Sequence, residues 1–216
     1  MFGPPGVGKG THARRLAGDL GVPHISTGDM LRRAIAEDSD LGRRAASHMN
    51  HGALVPDEVA VAILEERLAS PDANVGYLLD GFPRTVGQAE VFDHRLSGGP
   101  QPTDVVLALE APEEVLVQRL AGRQTCSACG ATFNPATRPT QVPDVCDACG
   151  APLLRRSDDE AGTIRRRLEA YRRATAPVLS HLEQHGWPVR RVASVGGIEE
   201  VYGRIKTAAV GKPGGV

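Results

Sequence analysis

The sequence predicts an α/β fold: a parallel, doubly wound sheet with helices on both faces and small insertions. Three observations predict it. The glycine-rich stretch Gly3-Pro4-Pro5-Gly6-Val7-Gly8-Lys9-Gly10-Thr11 runs straight into the helical pattern His12-Ala13-Arg14-Arg15-Leu16-Ala17. Short apolar runs alternate with helical periodicity along the chain, the signature of βα units. Two Cys-x-x-Cys-Gly knuckles lie between two of these units and mark an insertion with its own metal staple.

The opening stretch holds four glycines in nine residues. Glycine adopts the positive φ values of a tight curl and keeps Cβ atoms away from a ligand. Amides of the curl and of the helix start then face one hollow, which suits phosphate through aligned N–H groups and the Lys9 ammonium. Gly-x4-Gly-Lys is the phosphate-loop spacing, with an ordinary Gly/Pro turn as the alternative. One departure stands out: Gly10 occupies the position of the strict pattern's Ser or Thr, and Thr11 follows one later. Of 25 basic residues only Lys9, Lys206 and Lys212 are lysine. A bias towards arginine accounts for the rest, but a phosphate loop needs a compact point charge that guanidinium does not replace.

At 216 residues the chain fits one domain with insertions. A net charge of −1 supplies no bulk field towards nucleic acid or a membrane, so any anion site is built locally. No apolar run reaches about 18 residues and the start lacks a leader pattern. The expectation is a soluble, cytoplasmic, monomeric protein with neither a nucleic-acid nor a membrane partner.

In chain order, Val22-Pro23-His24-Ile25 reads as a short strand and Ser26-Thr27 cap the next helix. Arg32 lies one turn past Thr27-Gly28, as a solvated residue or a ligand contact. Val55-Pro56-Asp57-Glu58 starts a helix with Val61, Leu64 and Leu68 on one face. Gly76-Tyr77-Leu78-Leu79 is a strand ending in Asp80-Gly81. Ligands of open α/β sheets sit beyond the strands' carboxyl ends, so Asp80 can hold magnesium through water and Arg84 can bridge phosphates; an ordinary turn is the alternative. Ser97–Pro102 is a loop, Val105–Leu109 a buried strand, and Glu113-Glu114 open a helix that ends at Gly122-Arg123.

The knuckles Cys126-Ser127-Ala128-Cys129-Gly130 and Cys146-Asp147-Ala148-Cys149-Gly150, sixteen residues apart, contain every cysteine of the chain. Four thiolates close a tetrahedron and leave no open position, which predicts structural zinc. A redox pair and a nucleic-acid zinc ribbon are the rivals. A reducing compartment disfavours the first. Only Arg138 and Phe133 lie between the knuckles as basic or aromatic residues, which disfavours the second. Arg155–Glu160 closes the insertion and starts a long helix, with Ser157 as its cap and acids in its first turn. Pro177 kinks or divides that helix. Val189–Val195 is the last strand, Gly196-Gly197 a turn, and 212–216 a tail.

These motifs, taken in order, resemble the adenylate kinase family in its long form with a zinc-binding lid. They are Gly3–Thr11, Ser26-Thr27-Gly28-Asp29-Met30-Leu31-Arg32, Leu79-Asp80-Gly81-Phe82-Pro83-Arg84, Gly122-Arg123, the four cysteines, Arg156-Ser157-Asp158-Asp159 and Thr175-Ala176-Pro177. The resemblance covers essentially the whole chain. It implies a P-loop kinase that performs ATP + AMP ⇌ 2 ADP with magnesium, through closure of the lid and the small domain over both nucleotides. Its core would be 1–25, 56–121 and 160–216, its AMP-binding domain 26–55 and its zinc lid 122–159.

The implied ATP contacts are Gly6, Val7, Gly8, Lys9, Gly10, Thr11, Arg119, Arg123, Thr132 and Phe133, with Gly196 beside the donor adenine. The implied AMP contacts are Thr27, Arg32, Ala53, Leu54, Val55, Gly81, Phe82, Pro83, Arg84, Gln88, Arg156 and Arg167. Gln88 would read adenine. Lys9, Asp80, Arg84, Arg123, Arg156 and Arg167 would surround the transferring group, where positioning and charge matter more than covalent help. Rival readings are a kinase for UMP, CMP or GMP, and a nucleotide-binding module without activity. Only Met1-Phe2 stand where a strand should precede the loop, so a few more apolar residues upstream are expected.

Overall fold

The computed structural model describes residues 1–92 and 105–211; the loop expected at 97–102 and the tail at 212–216 lie outside them. Two parallel strand pairs form the centre. Strand β1 (His24–Ser26) pairs with β2 (Leu78–Asp80), placing Ser26 opposite Asp80. Strand β3 (Val106–Glu110) pairs with β7 (Val189–Ala193), placing Glu110 opposite Ala193. Met1-Phe2 lie between the pairs. Phe2 donates its amide to Leu107 O at 2.7 Å and accepts from Leu109 N at 2.9 Å, while the Met1 ammonium donates to Leu79 O at 2.5 Å. The resulting order is β1, β2, Met1-Phe2, β3, β7.

Residues along β3 alternate between two apolar layers, because successive side chains of a strand point to opposite faces. Leu107 and Leu109 join Val7, Leu16, Leu120, Ile164 and Ile205 on one side. Val106 and Ala108 join Phe2, Ala89, Val178 and Leu182 on the other. The first layer is supplied by α1 (Lys9–Leu20), α6 (Glu113–Ala121), α7 (Ala161–Ala170) and α9 (Ile198–Val210); the second by α5 (Val86–Val91) and α8 (Ala176–Gln184). Burial on both faces explains why β3 is apolar without alternation.

After β1 the chain forms α2 (Thr27–Ala36) and α3 (Asp40–Asn50) before returning through α4 (Asp57–Leu68). Ser26 caps α2 by accepting from Asp29 N at 3.3 Å. The two helices cross closely at Gly42, where a Cβ would lie 2.1 Å from Ala34 O. Between α6 and α7 the knuckle insertion folds as an antiparallel sheet of β4 (Gln124–Cys126), β5 (Thr132–Phe133) and β6 (Leu153–Leu154), with β4 central. Its buried apolar residues are Cys126, Phe133, Cys146 and Leu153.

One cap differs from expectation. Ser157 does not start the long helix: Ser157–Asp159 forms a 3₁₀ turn, and α7 begins at Ala161 with no side-chain cap on its first amides. The Asp159 carboxylate is captured by Arg123 and Arg167, which holds the turn away from the helix axis, and Ser157 Oγ turns to Asn50 Oδ1 at 3.4 Å. The predicted division near Pro177 is present, as a π turn over Tyr171–Thr175 that hands over to α8 with the proline in its first turn.

Candidate active site

The glycine-rich loop curls as its composition requires. Gly6 and Gly8 have φ of 82° and 97°, and a Cβ at Gly6 would lie 2.8 Å from Leu116 O. Gly8 caps α1 in the left-handed region without a side-chain hydrogen bond, so the first amides of α1 face the hollow. Lys9 Nζ donates to Gly3 O at 2.6 Å and Pro4 O at 2.9 Å, which folds the ammonium back under the loop.

Burial pulls the Lys9 pKa down from 10.5 to about 7; Asp80 opposes this, and Arg84, Arg167 and Arg123 add to it. A polyphosphate in the hollow restores the charged form, because an adjacent opposite charge favours it. Binding of MgATP at pH 8 should therefore take up protons, seen as a dependence of the calorimetric heat on buffer ionisation enthalpy. Lys9→Met should abolish that dependence, and an unchanged dependence would show that Lys9 is not the group that titrates.

Asp80, at the carboxyl end of β2, is 6% exposed. Burial works to raise its pKa, yet the His24 hydrogen bond, Lys9 and the terminal ammonium outweigh burial and hold it below the ordinary carboxylate value. Its Oδ2 lies 3.4 Å from His24 Nε2 and 3.5 Å from where a Cβ at Gly10 would stand. Glycine after the lysine thus leaves the carboxylate open to the cavity.

Arginines surround this centre. Burial, reinforced by Arg167, pulls Arg84 down to about 10, and its Nε donates to Gly81 O at 2.8 Å. Burial, reinforced by Arg32 and Arg123, pulls Arg156 down to about 9. Asp159, with no side-chain exposure, takes Arg123 through two hydrogen bonds of 2.7 and 2.5 Å and Arg167 through one of 2.8 Å. Asp29 pairs with Arg32 and lies 4.0 Å from Arg156. Lys9, Arg32, Arg84, Arg123, Arg156 and Arg167, with Arg14, Arg119 and Arg138 further along the larger cavity, thus outnumber the carboxylates Asp29, Asp80, Asp158 and Asp159. The excess of positive charge suits a polyanion.

Two cavities meet there. The larger, about 420 Å³, runs from the glycine loop past Arg119 and Arg123 to Thr132, Phe133 and Gly196. The smaller, about 110 Å³, lies between Leu31, Ala53, Leu54, Val55, Phe82 and Pro83. Lys9, Arg32, Arg84 and Arg167 line both. The knuckle insertion closes over the larger cavity, with Thr132 Oγ1 3.0 Å from Thr11 Oγ1.

Most residues expected from the sequence line one cavity or the other. Val7, Thr27 and Gln88 line neither. Val7 is fully buried in the core, and the Thr27 hydroxyl donates to Gly81 O at 2.8 Å. The Gln88 amide accepts from Arg84 N at 2.7 Å and donates to Asp57 Oδ1 at 2.7 Å. His12, Asn134, Arg138 and Ile198 line the larger cavity without having been expected there. His12 is 5% exposed, and burial with Arg119 and Arg15 nearby pulls its pKa to about 4, so it is neutral. Its place directly after Thr11 was the one available signal.

The four cysteine sulfurs lie within 4.8 Å of one another, with Cys126–Cys149 at 3.5 Å and Cys129–Cys146 at 3.6 Å. Thiolates bound tetrahedrally at about 2.3 Å would be about 3.8 Å apart, so this set fits a thiophilic ion.

Comparison with known proteins agrees with this geometry. The family model described as adenylate kinase matches residues 1–187. The chain is 48% identical over 186 residues to an adenylate kinase of Moorella thermoacetica, with 86% of each chain covered. It is 45% identical over 211 residues to an adenylate kinase of Syntrophobacter fumaroxidans, with 98% of each covered. Against an adenylate kinase of Streptomyces avermitilis it is 46% identical over 209 residues, covering 96% of this chain and 94% of the relative.

Proposed function

The chain belongs to the adenylate kinase family, and from that premise we propose how its residues carry out ATP + AMP ⇌ 2 ADP. The observation that carries the assignment of sites is the sharing of Lys9, Arg32, Arg84 and Arg167 by two cavities of unequal size. Two nucleotides laid base-outward in these cavities would bring their phosphates together on the shared cations.

The larger cavity takes ATP. Gly6 to Thr11 cradle the donor phosphates, and Arg119, Thr132, Phe133 and Gly196 surround base and ribose. The smaller takes AMP, with Ala53, Leu54, Val55, Phe82 and Pro83 along the nucleoside. Arg84, Arg123, Arg156 and Arg167 stabilise the charge spread over the transferring group, at the cost of little motion once in place. Asp80, held anionic and facing Gly10, would help to hold magnesium, which would supply charge screening for the donor phosphates. The four cysteines would hold zinc, which would stiffen residues 122–159 as the lid; residues 26–55 form the acceptor arm, and the remainder forms the core.

Closure matters because water competes with AMP as nucleophile. The Thr11–Thr132 contact and the pairing of Asp159 with Arg123 and Arg167 support a lid that seals the donor side. No helix among the described residues is long and apolar enough to cross a membrane. With none of the four cysteines in a disulfide, we place the enzyme in the reducing cytoplasm, as a monomer.

A coupled assay of ADP formation over AMP, UMP, CMP and GMP tests the reading. AMP should give the highest kcat/KM, and Arg84→Ala should lower kcat about a hundredfold or more. Faster turnover of UMP would overturn the adenine assignment.

A further inference from the structure

Thr175-Ala176-Pro177 stands out in the sequence yet has no part in the contacts assigned so far. In the fold, Thr175 ends the π turn Tyr171–Thr175 and is 7% exposed. Its Oγ1 donates to the main-chain carbonyl of Arg84 at 2.9 Å. The amide of the same residue donates to Gln88 Oε1 at 2.7 Å. Both main-chain polar groups of Arg84 are thus held by side chains from different elements. The Gln88 end is anchored in turn, since Asp57 accepts from Gln88 Nε2 at 2.7 Å and from Thr85 Oγ1 at 2.8 Å.

The π turn explains how Thr175 reaches this place. In an α-helix, residues four apart drift by about 40° around the axis, because four residues exceed one turn of 3.6. Arg167 and Tyr171 carry one such step. A π turn closes its hydrogen bond one residue later and so rotates less per residue. Its next four-residue step reverses the drift and returns Thr175 to the side that carries Arg167. Arg167, Tyr171 and Thr175 accordingly all line the smaller cavity. A regular helix would turn the hydroxyl away from Arg84. Single π turns inside helices are frequent at functional sites.

We propose that Thr175 is a positioning residue for phosphoryl transfer, holding the Arg84 main chain against Gln88 so that the guanidinium points at the shared phosphate site. The proposal rests on the reading of Arg84 as the arginine that bridges the phosphates. A buried guanidinium held by few groups is sensitive to placement, and a displacement of about 1 Å can cost on the order of a hundredfold in rate. The hydroxyl acts on the backbone, so its loss should appear in kcat and leave ATP binding alone.

The experiment compares Thr175→Val, which keeps shape and removes the hydroxyl, with Thr175→Ser, which keeps the hydroxyl, below the melting temperature of each. Thr175→Val should lower kcat roughly ten- to hundredfold with the KM for ATP unchanged. Thr175→Ser should recover most of that loss. In an Arg84→Ala background, Thr175→Val should have almost no further effect, since residues acting through one another are not additive. Wild-type kcat in Thr175→Val, an equal loss in Thr175→Ser, or full additivity with Arg84→Ala would each overturn the proposal. Wild-type activity in Arg84→Ala alone would instead overturn the reading of Arg84 on which it rests.

Discussion

Lys9→Ala should lower kcat for ADP formation by about two orders of magnitude or more, the scale of removing a preorganised charge from a transition state. Among the described residues Lys9 is the only lysine lining either cavity, and the neighbouring side-chain cations are guanidiniums with larger, planar heads. Lys9→Arg should therefore fail to rescue turnover. Loss of folding would not explain the result. Burial holds the Lys9 pKa at about 7 against 10.5 in the unfolded chain, so the charged form costs the fold stability. That cost is complete below pH 7 and fades as pH rises towards 10.5, because the unfolded chain binds the extra proton over that window. Lys9→Met should thus melt at or above the wild type below pH 7, and the difference should shrink above it. Turnover retained in Lys9→Ala would remove the lysine from the mechanism.

Removing the lid metal should have the next largest effect. The buried apolar cluster of the insertion is Cys126, Phe133, Cys146 and Leu153, with Ala131 and Ala151 partly buried against them. Two of the four residues in that cluster are the proposed metal ligands, so almost no apolar core remains without the ion. Structural zinc contributes on the order of 10 kcal/mol to folding of small sites, far more than those side chains supply. Freshly purified protein should carry one zinc per chain. Chelation, or Cys146→Ala, should produce an early melting transition for the lid, leave the core transition in place, and cut kcat. Four titratable thiols with no metal and a single unchanged transition would contradict this.

Both predictions rest on features readable along the chain, because their chemistry is local. A curl of glycines with a lysine at its end can be recognised without knowing what packs behind it. Four thiolates in two knuckles imply a tetrahedron wherever the knuckles lie. The strands at Leu78 and Val106 were legible from apolar runs and the one at Val189 was also expected, although most of their boundaries shifted by a residue or two as the ladder hydrogen bonds chose their ends. The lid strands were not legible: β5 and β6 have two residues each, too few for any periodicity.

The arginine-rich site divides along the same line. Which arginines belong to it followed from motifs, but what each one faces did not. Asp159 collects Arg123 from 36 residues away and Arg167 from eight, and this pairing moved the helix start that Ser157 had marked. Gln88, expected at the adenine, spends its amide on Arg84 and Asp57. Thr175 meets Arg84 across 91 residues, by way of a π turn that no residue pattern announced. Spacing in a sequence sets what a residue's own turn of helix or loop can do. The choice among several equivalent donors and acceptors is made by burial, where every polar group must find a partner and the nearest in space is seldom the nearest in sequence.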